Sequence, residues 1–177
     1  MILGFVGLIA SGKGEAAKYL AQKYGASTYR FSTILRNILD RLFLEHSRDN
    51  MIKLSEIIRG AFGENILAKT IAGDAAKDKN KIIVIEGIRR LADIEYLKKL
   101  SNFILVEIFA DPQIRYNRLI KRKKNPDDAT KTFEQFLADH QRSTELSIQD
   151  VIKEAKIKIN NNGDEKELRK QLDKLIN

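Results

Sequence analysis

Eight residues near the start of the chain, Gly7-Leu8-Ile9-Ala10-Ser11-Gly12-Lys13-Gly14, have the types and spacing of a loop that wraps a phosphate. They follow the pattern G-x-x-x-x-G-K and miss only its final Ser or Thr, a place taken by Gly14. Glycines let consecutive backbone N–H groups turn inward around an anion. The start of a helix adds partial positive charge, and a lysine at position 13 reaches the outer phosphates of a nucleotide. Gly7, Ala10, Ser11, Gly12, Lys13, Gly14 and Glu15 are therefore the expected nucleotide-binding residues. A strand-to-helix turn that merely contains glycine and lysine is the competing reading. The flanks argue against it, because apolar Ile2 to Val6 precedes the loop and helix-forming Glu15-Ala16-Ala17-Lys18-Tyr19-Leu20 follows.

Further charged residues follow other apolar runs. Ser32-Thr33-Ile34-Leu35-Arg36 opens a helix with an arginine one turn in, suited to bidentate phosphate contact. Glu86-Gly87-Ile88-Arg89 closes the most apolar run of the chain. An acid there is placed to orient the water shell of Mg²⁺, and the glycine brings Arg89 into the same cleft. Arg115, Arg118 and Arg122 share one helix face by their spacing, before a polar stretch from Lys123 to Thr130. A solvated basic row is the plain alternative. An arginine face entering a polar connection suggests a lid over phosphates at about 122–142, to which Arg142 would belong. The turn Asn160-Asn161-Asn162-Gly163 offers amides to an adenine ring, and turn chemistry explains it equally well.

The elements that must position these groups alternate. Strands are expected at Ile2 to Val6, Ser27 to Phe31, Lys81 to Glu86, Phe103 to Phe109 and Ala155 to Ile159. Helices are expected after the loop, from Ser32 to about Arg48, as a pair over Leu54 to Lys77, and over Ala92 to Leu100. Three more run from Pro112 to Lys124, Phe133 to Lys153 and Glu165 to Ile176, with Ser32, Asp111 and Asp164 as caps and Pro112 as a first helical residue. Such alternation predicts βαβ units, a five-stranded parallel sheet in an α/β fold of three layers, and a ligand beyond the carboxyl ends of the strands.

At 177 residues the chain reads as one domain, 1–177, with 43% hydrophobic content. No apolar run is long enough to span a bilayer, so no membrane partner is expected. The absence of cysteine excludes disulfides and thiolate metal sites and fits a reducing, cytoplasmic setting. His46 and His140 lack partners at zinc-ligand spacing. The net charge of +8 points to an anionic partner. Lys121-Arg122-Lys123-Lys124 is dense in charge but not interleaved with aromatic residues, so nucleic acid is not the expected one.

Together these residues resemble the nucleoside monophosphate kinases of the P-loop superfamily, adenylate kinase above all, and within that group an uncharacterised adenylate-kinase-related family. The matches are Lys13-Gly14 in the loop, Ser32, Thr33 and Arg36 after the second strand, Glu86, Gly87 and Arg89 after the third, and Arg118 and Arg122 entering the lid. The resemblance covers nearly the whole chain and implies a P-loop kinase fold with a helical acceptor-binding insertion at about 32–78. It implies ATP and Mg²⁺ as cofactors and a small phosphorylated acceptor, a nucleoside or deoxynucleoside monophosphate. By that likeness Lys13, Arg89, Arg118, Arg122 and Arg142 act on the transferring group, and Asn162 contacts the nucleotide. Ser32, Arg36, Arg59, Glu86 and Arg89 serve the acceptor. Three departures stand out: Glu15 where a threonine is usual, Thr33 where an acid is usual, and acceptor helices without a signature beyond Arg59 and Gly63. Metal is then left to water, Glu86 and Ser11. Dephospho-coenzyme A kinase, a P-loop ATPase without a small acceptor, and a nucleic-acid module remain alternatives.

Overall fold

The computed structural model describes residues 1–122, 131–139 and 143–177, with backbone alone for Arg122 and 143–145. Five strands form one fully parallel sheet: β1 (Ile2–Val6), β2 (Ser27–Arg30), β3 (Ile83–Glu86), β4 (Phe103–Phe109) and β5 (Ile157–Asn160). Their order is β2-β3-β1-β4-β5. In register, Gly4 of β1 lies between Ile85 of β3 and Leu105 of β4.

β3 is buried along its whole length, as a continuous β-branched run covered on both faces requires. Its alternate residues point into separate cores. Ile83 and Ile85 pack with Leu67, Ile71, Ile94, Leu97 and Val151 on one side. Ile82 and Val84 pack with Ala17, Leu20, Leu168 and Leu172 on the other. Two apolar layers around one sheet give the expected three-layer α/β/α architecture.

The second layer is built by α1 (Lys13–Tyr24) and α9 (Glu165–Ile176). Asp164 caps α9 by accepting a hydrogen bond from the Glu167 N–H at 2.9 Å. The first layer takes α4 (Ile66–Lys77), α5 (Leu91–Ile94) and α8 (Ser143–Ile152), with α2 (Phe31–Arg41) and α3 (Arg48–Phe62) projecting beside it. On the strand-four side, α6 (Pro112–Arg122) begins at the proline and α7 (Phe133–Asp139) packs Phe136 against it.

Several boundaries differ from expectation for local reasons. The stretch predicted to be one helix from Ser32 to Arg48 stops at Arg41, and a new helix starts because the Ser47 side chain accepts the Asn50 N–H at 3.2 Å. α2 opens one residue early, with extended Arg30 in the cap position that Ser32 was expected to hold. The helix expected over Ala92 to Leu100 divides into α5 and a single 3₁₀ turn, Leu97–Lys99, which buries both Ile94 and Leu97. The proposed lid at 122–142 lies largely outside the described residues, as do Arg142 and the side chain of Arg122.

Candidate functional site: a strand-end anion cradle

The loop between β1 and α1 has the backbone that its glycines permit. Gly7 (φ 151°) and Gly12 (φ 102°) lie at positive φ, and so does Ala10 (φ 60°), a strained place for a residue with a Cβ. Gly12 caps α1 without a side chain. A Cβ there would overlap the Asn161 amide nitrogen, and one at Gly7 would overlap the Ile108 carbonyl oxygen. Both positions are therefore closed to other residues by space as well as by torsion. The Lys13 ammonium reaches back across the loop, donating to the carbonyls of Gly7 (2.5 Å) and Leu8 (3.0 Å), with Ser11 Oγ at 3.4 Å.

Distant residues hold this loop in shape. Buried Asn161 donates to the Ser11 carbonyl at 2.8 Å, and its own N–H is bonded to Phe109. Arg115 is 2% exposed. It donates to the carbonyls of Ala110 (3.0 Å) and Ile9 (3.3 Å), and its guanidinium stacks over the Phe136 ring. Arg115 is thus no part of a solvated face. Arg118 is half-buried; among the described residues its Nη1 is buried without a hydrogen-bond partner, and it lies 4.0 Å from where a Gly12 Cβ would be. Burial pushes its guanidinium below the usual arginine value. Such an orphan donor above an anion cradle is suited to receive charge.

Across the loop stands Glu86, 7% exposed at the end of β3. Its Oε1 accepts from Arg30 Nη2 at 2.8 Å, while Oε2 is 3.8 Å from the Cβ place at Gly14. Glu86 therefore faces the last loop position. Gly14 and Glu15 are both exposed.

The side expected to take the acceptor is more open. Ser32 is half-buried in the first turn of α2, and Arg36 and Arg89 are exposed. No hydrogen bond or ion pair engages either arginine side chain among the described residues. Arg59, expected at an acceptor phosphate, is buried and committed elsewhere: its Nη2 contacts Asp93 Oδ1 at 2.8 Å, and Nη1 donates to the Glu64 carbonyl. Asp93 is 2% exposed, and its other oxygen accepts the N–H groups of Arg89 (2.9 Å) and Arg90 (3.1 Å). Arg59 thus braces the segment that carries Arg89 rather than facing the cleft. Asn162 likewise turns to Asp111, accepting its N–H at 2.7 Å and donating to its carboxylate at 2.8 Å.

Sequence reasoning passed over Arg30 and Asp93, and read Asn161 only as part of a turn offered to an adenine ring. The signal for Asn161 was present: the inward alternation of Ile157 and Ile159 continues to it and not to Asn162. Two shallow clefts of about 430 and 490 Å³ lie elsewhere, one at Met1 and Phe103, the other between Leu91 and Glu154, and neither includes a loop residue. The loop and the side chains that brace it, not cavity volume, mark the site.

Known proteins resemble this chain in sequence or in fold. A UPF0200 protein of Sulfurisphaera tokodaii is 29% identical over 175 residues, spanning 99% of this chain and 95% of its own. Another, of Hyperthermus butylicus, is 28% identical over 173 residues, with coverage of 88% and 91%. Shikimate kinase of Bacteroides thetaiotaomicron superposes with a TM-score of 0.66 at 16% identity, covering 99% of this chain and 96% of that one. Shikimate kinase of Acinetobacter baumannii, in complex with shikimate, gives 0.58 at 17%, with coverage of 99% and 90%. At such identities the likeness is one of fold. The family described as AAA domain matches residues 6–135. The chain, with its nucleotide-type P-loop on a kinase-like sheet, belongs to that family.

Proposed function

We propose that the protein is an ATP-dependent phosphotransferase that moves the γ-phosphoryl group to a small phosphorylated acceptor, a nucleoside or deoxynucleoside monophosphate. The observation that carries this reading is the orphaned Nη1 of Arg118 beside Gly12, the residue that precedes the loop lysine. The cradle fits a nucleotide phosphate: Lys13 exchanges its contacts with loop carbonyls for phosphate oxygens, and Arg118 gains the acceptor atom it lacks. The loop does not supply a hydroxyl at Gly14, so Glu86 and Ser11 are the residues that would hold Mg²⁺, Glu86 through water. When bound, the metal neutralises charge on the transferring phosphates.

The acceptor argument rests on Arg36 and Arg89, two exposed guanidiniums at neighbouring strand ends. A phosphate held by them is already a nucleophile, and transfer then needs positioning and charge stabilisation. A hydroxyl acceptor usually needs a general base. Thr33 stands where an acid is usual, and Glu86 is ion-paired to Arg30, which favours a phosphate acceptor over the dephospho-coenzyme A alternative. Arg122 and Arg142 join the site in this reading by their place in the sequence. Among the described residues no helix is long and apolar enough to cross a membrane, in keeping with a cytoplasmic assignment.

The test is ADP release with ATP, Mg²⁺ and a panel of monophosphates plus dephospho-coenzyme A. Stimulation by a monophosphate, lost about 1,000-fold in Lys13→Ala, is the expected result. A panel that never stimulates ADP release replaces this reading with an ATPase.

A further inference from the structure

Glu86 stands between the loop, which it meets at Gly14, and a cation of the neighbouring strand, Arg30. Arg30 and Glu86 are register partners on β2 and β3, so their side chains leave the sheet side by side. The Arg30 stem is seated on Gly87, its Cγ 3.7 Å from where a Cβ would be, at a residue whose φ of 82° favours glycine. Its guanidinium holds Glu86 Oε1 at 2.8 Å. The other oxygen is thereby turned to Gly14, the loop position that normally provides a hydroxyl to the metal.

A free carboxylate rotates about its last torsion, and that torsion is broad. An ion pair on one oxygen removes this freedom. The Glu86 side chain is 10% exposed against 50% for Arg30, so the pair lies at the wall of the cleft, where screening is reduced on the Glu86 side. We propose that Arg30 is a positioning residue: it orients Glu86 toward the metal of a bound nucleotide and offsets the missing loop hydroxyl. This rests on the reading of the loop as a site for a metal–nucleotide complex and adds to it a residue outside the loop.

The test uses the full chain and a fluorescent ADP analogue titrated with and without Mg²⁺, alongside thermal unfolding. Arg30→Gln should raise the Mg²⁺ concentration for half-maximal tight binding about tenfold, with affinity in EDTA within twofold of wild type. Arg30→Lys should recover part of the loss, since a lysine keeps the charge but not the planar fork. Combining Arg30→Gln with Glu86→Gln should add little to Glu86→Gln alone, because the two act through one group. The proposal is overturned by an unchanged Mg²⁺ dependence in Arg30→Gln, by equal losses with and without metal, or by additive double-variant effects. A wild-type protein whose nucleotide affinity ignores Mg²⁺ also overturns it. Phosphotransfer itself is judged separately by the monophosphate panel, so the two readings fail by different results.

Discussion

The donor and acceptor halves of the proposed site are built in opposite ways. Around the P-loop almost every polar group is tied: Lys13 to two loop carbonyls, Asn161 to Ser11, Arg115 to Ile9. On the acceptor side Arg36 and Arg89 stand exposed, and the α2–α3 region shows Leu42, Phe43 and Leu44 to solvent, Phe43 at 97% exposure. A phosphate chain is the same in every nucleotide, so a rigid cradle suits it, and preorganised donors need no rearrangement when charge arrives. An acceptor must enter, be clamped and leave, which calls for side chains free to move. The rigid half is joined to the open half at Glu86–Arg30 and at Asp93–Arg59.

The sharpest way to break the donor half is Gly12→Ala. The φ of 102° and the overlap with Asn161 both oppose a Cβ. Nucleotide affinity should fall by at least about 100-fold, measured with the fluorescent analogue. Asn161→Ala on that background should return part of it, leaving the torsional strain. Full recovery would mean that crowding alone closes the position.

Asp93→Ala attacks a junction. It leaves Arg59 buried without its partner and two N–H groups unbonded, and losses of this kind cost about 3–5 kcal/mol. Urea unfolding should register a drop of that order. A loss under about 1 kcal/mol would mean that the pair is relieved by water. Arg36→Ala and Arg89→Ala test the open half with a smaller effect. Each removes a charge-assisted contact of about 1.5–3 kcal/mol, so the acceptor KM should rise roughly 10- to 150-fold. Melting temperature and ATP affinity should hold, because neither side chain makes a hydrogen bond or ion pair among the described residues. Equal loss in ATP affinity would place these arginines in the donor half instead.

The smallest effect lies away from the site, where α1 and α9 meet. Hydrogen bonds from Lys23, Tyr19 and Tyr24 hold the Asp173 carboxyl at about 2, below the usual aspartate value. Because the folded value is depressed, the stabilisation is complete above about pH 4 and is lost as pH falls toward about 2. Asp173→Asn should flatten that part of the stability–pH curve and leave neutral-pH nucleotide binding unchanged. An unaltered acid limb would show that the cluster contributes nothing at this exposed surface.

Much of the molecule was legible because it is local. Continuous apolar runs such as Ile82 to Ile85 report buried parallel strands, and Gly12-Lys13 reports a loop whose torsions only glycine meets easily. The Pro112 and Asp164 helix starts follow from a fixed φ and a capping oxygen, both effects within one turn. Helix ends were less legible, since the Ser47 cap competes with an otherwise continuous helical pattern.

The sequence by itself determined the alternating α/β plan and the glycine-rich P-loop, and pointed to an anionic ligand, because backbone torsion, periodicity and charge are properties of neighbouring residues. Only the tertiary structure decided which polar groups meet. Strand order β2-β3-β1 places Arg30 beside Glu86. The return of the chain through α3 and α5 turns Arg59 from a cleft residue into the buried partner of Asp93. The packing of β5 against β4 selects Asn161 over Asn162 as the brace of the loop. Each of these pairings joins residues 34 to 150 positions apart, and such contacts arise from the stacking of layers, which no local pattern specifies.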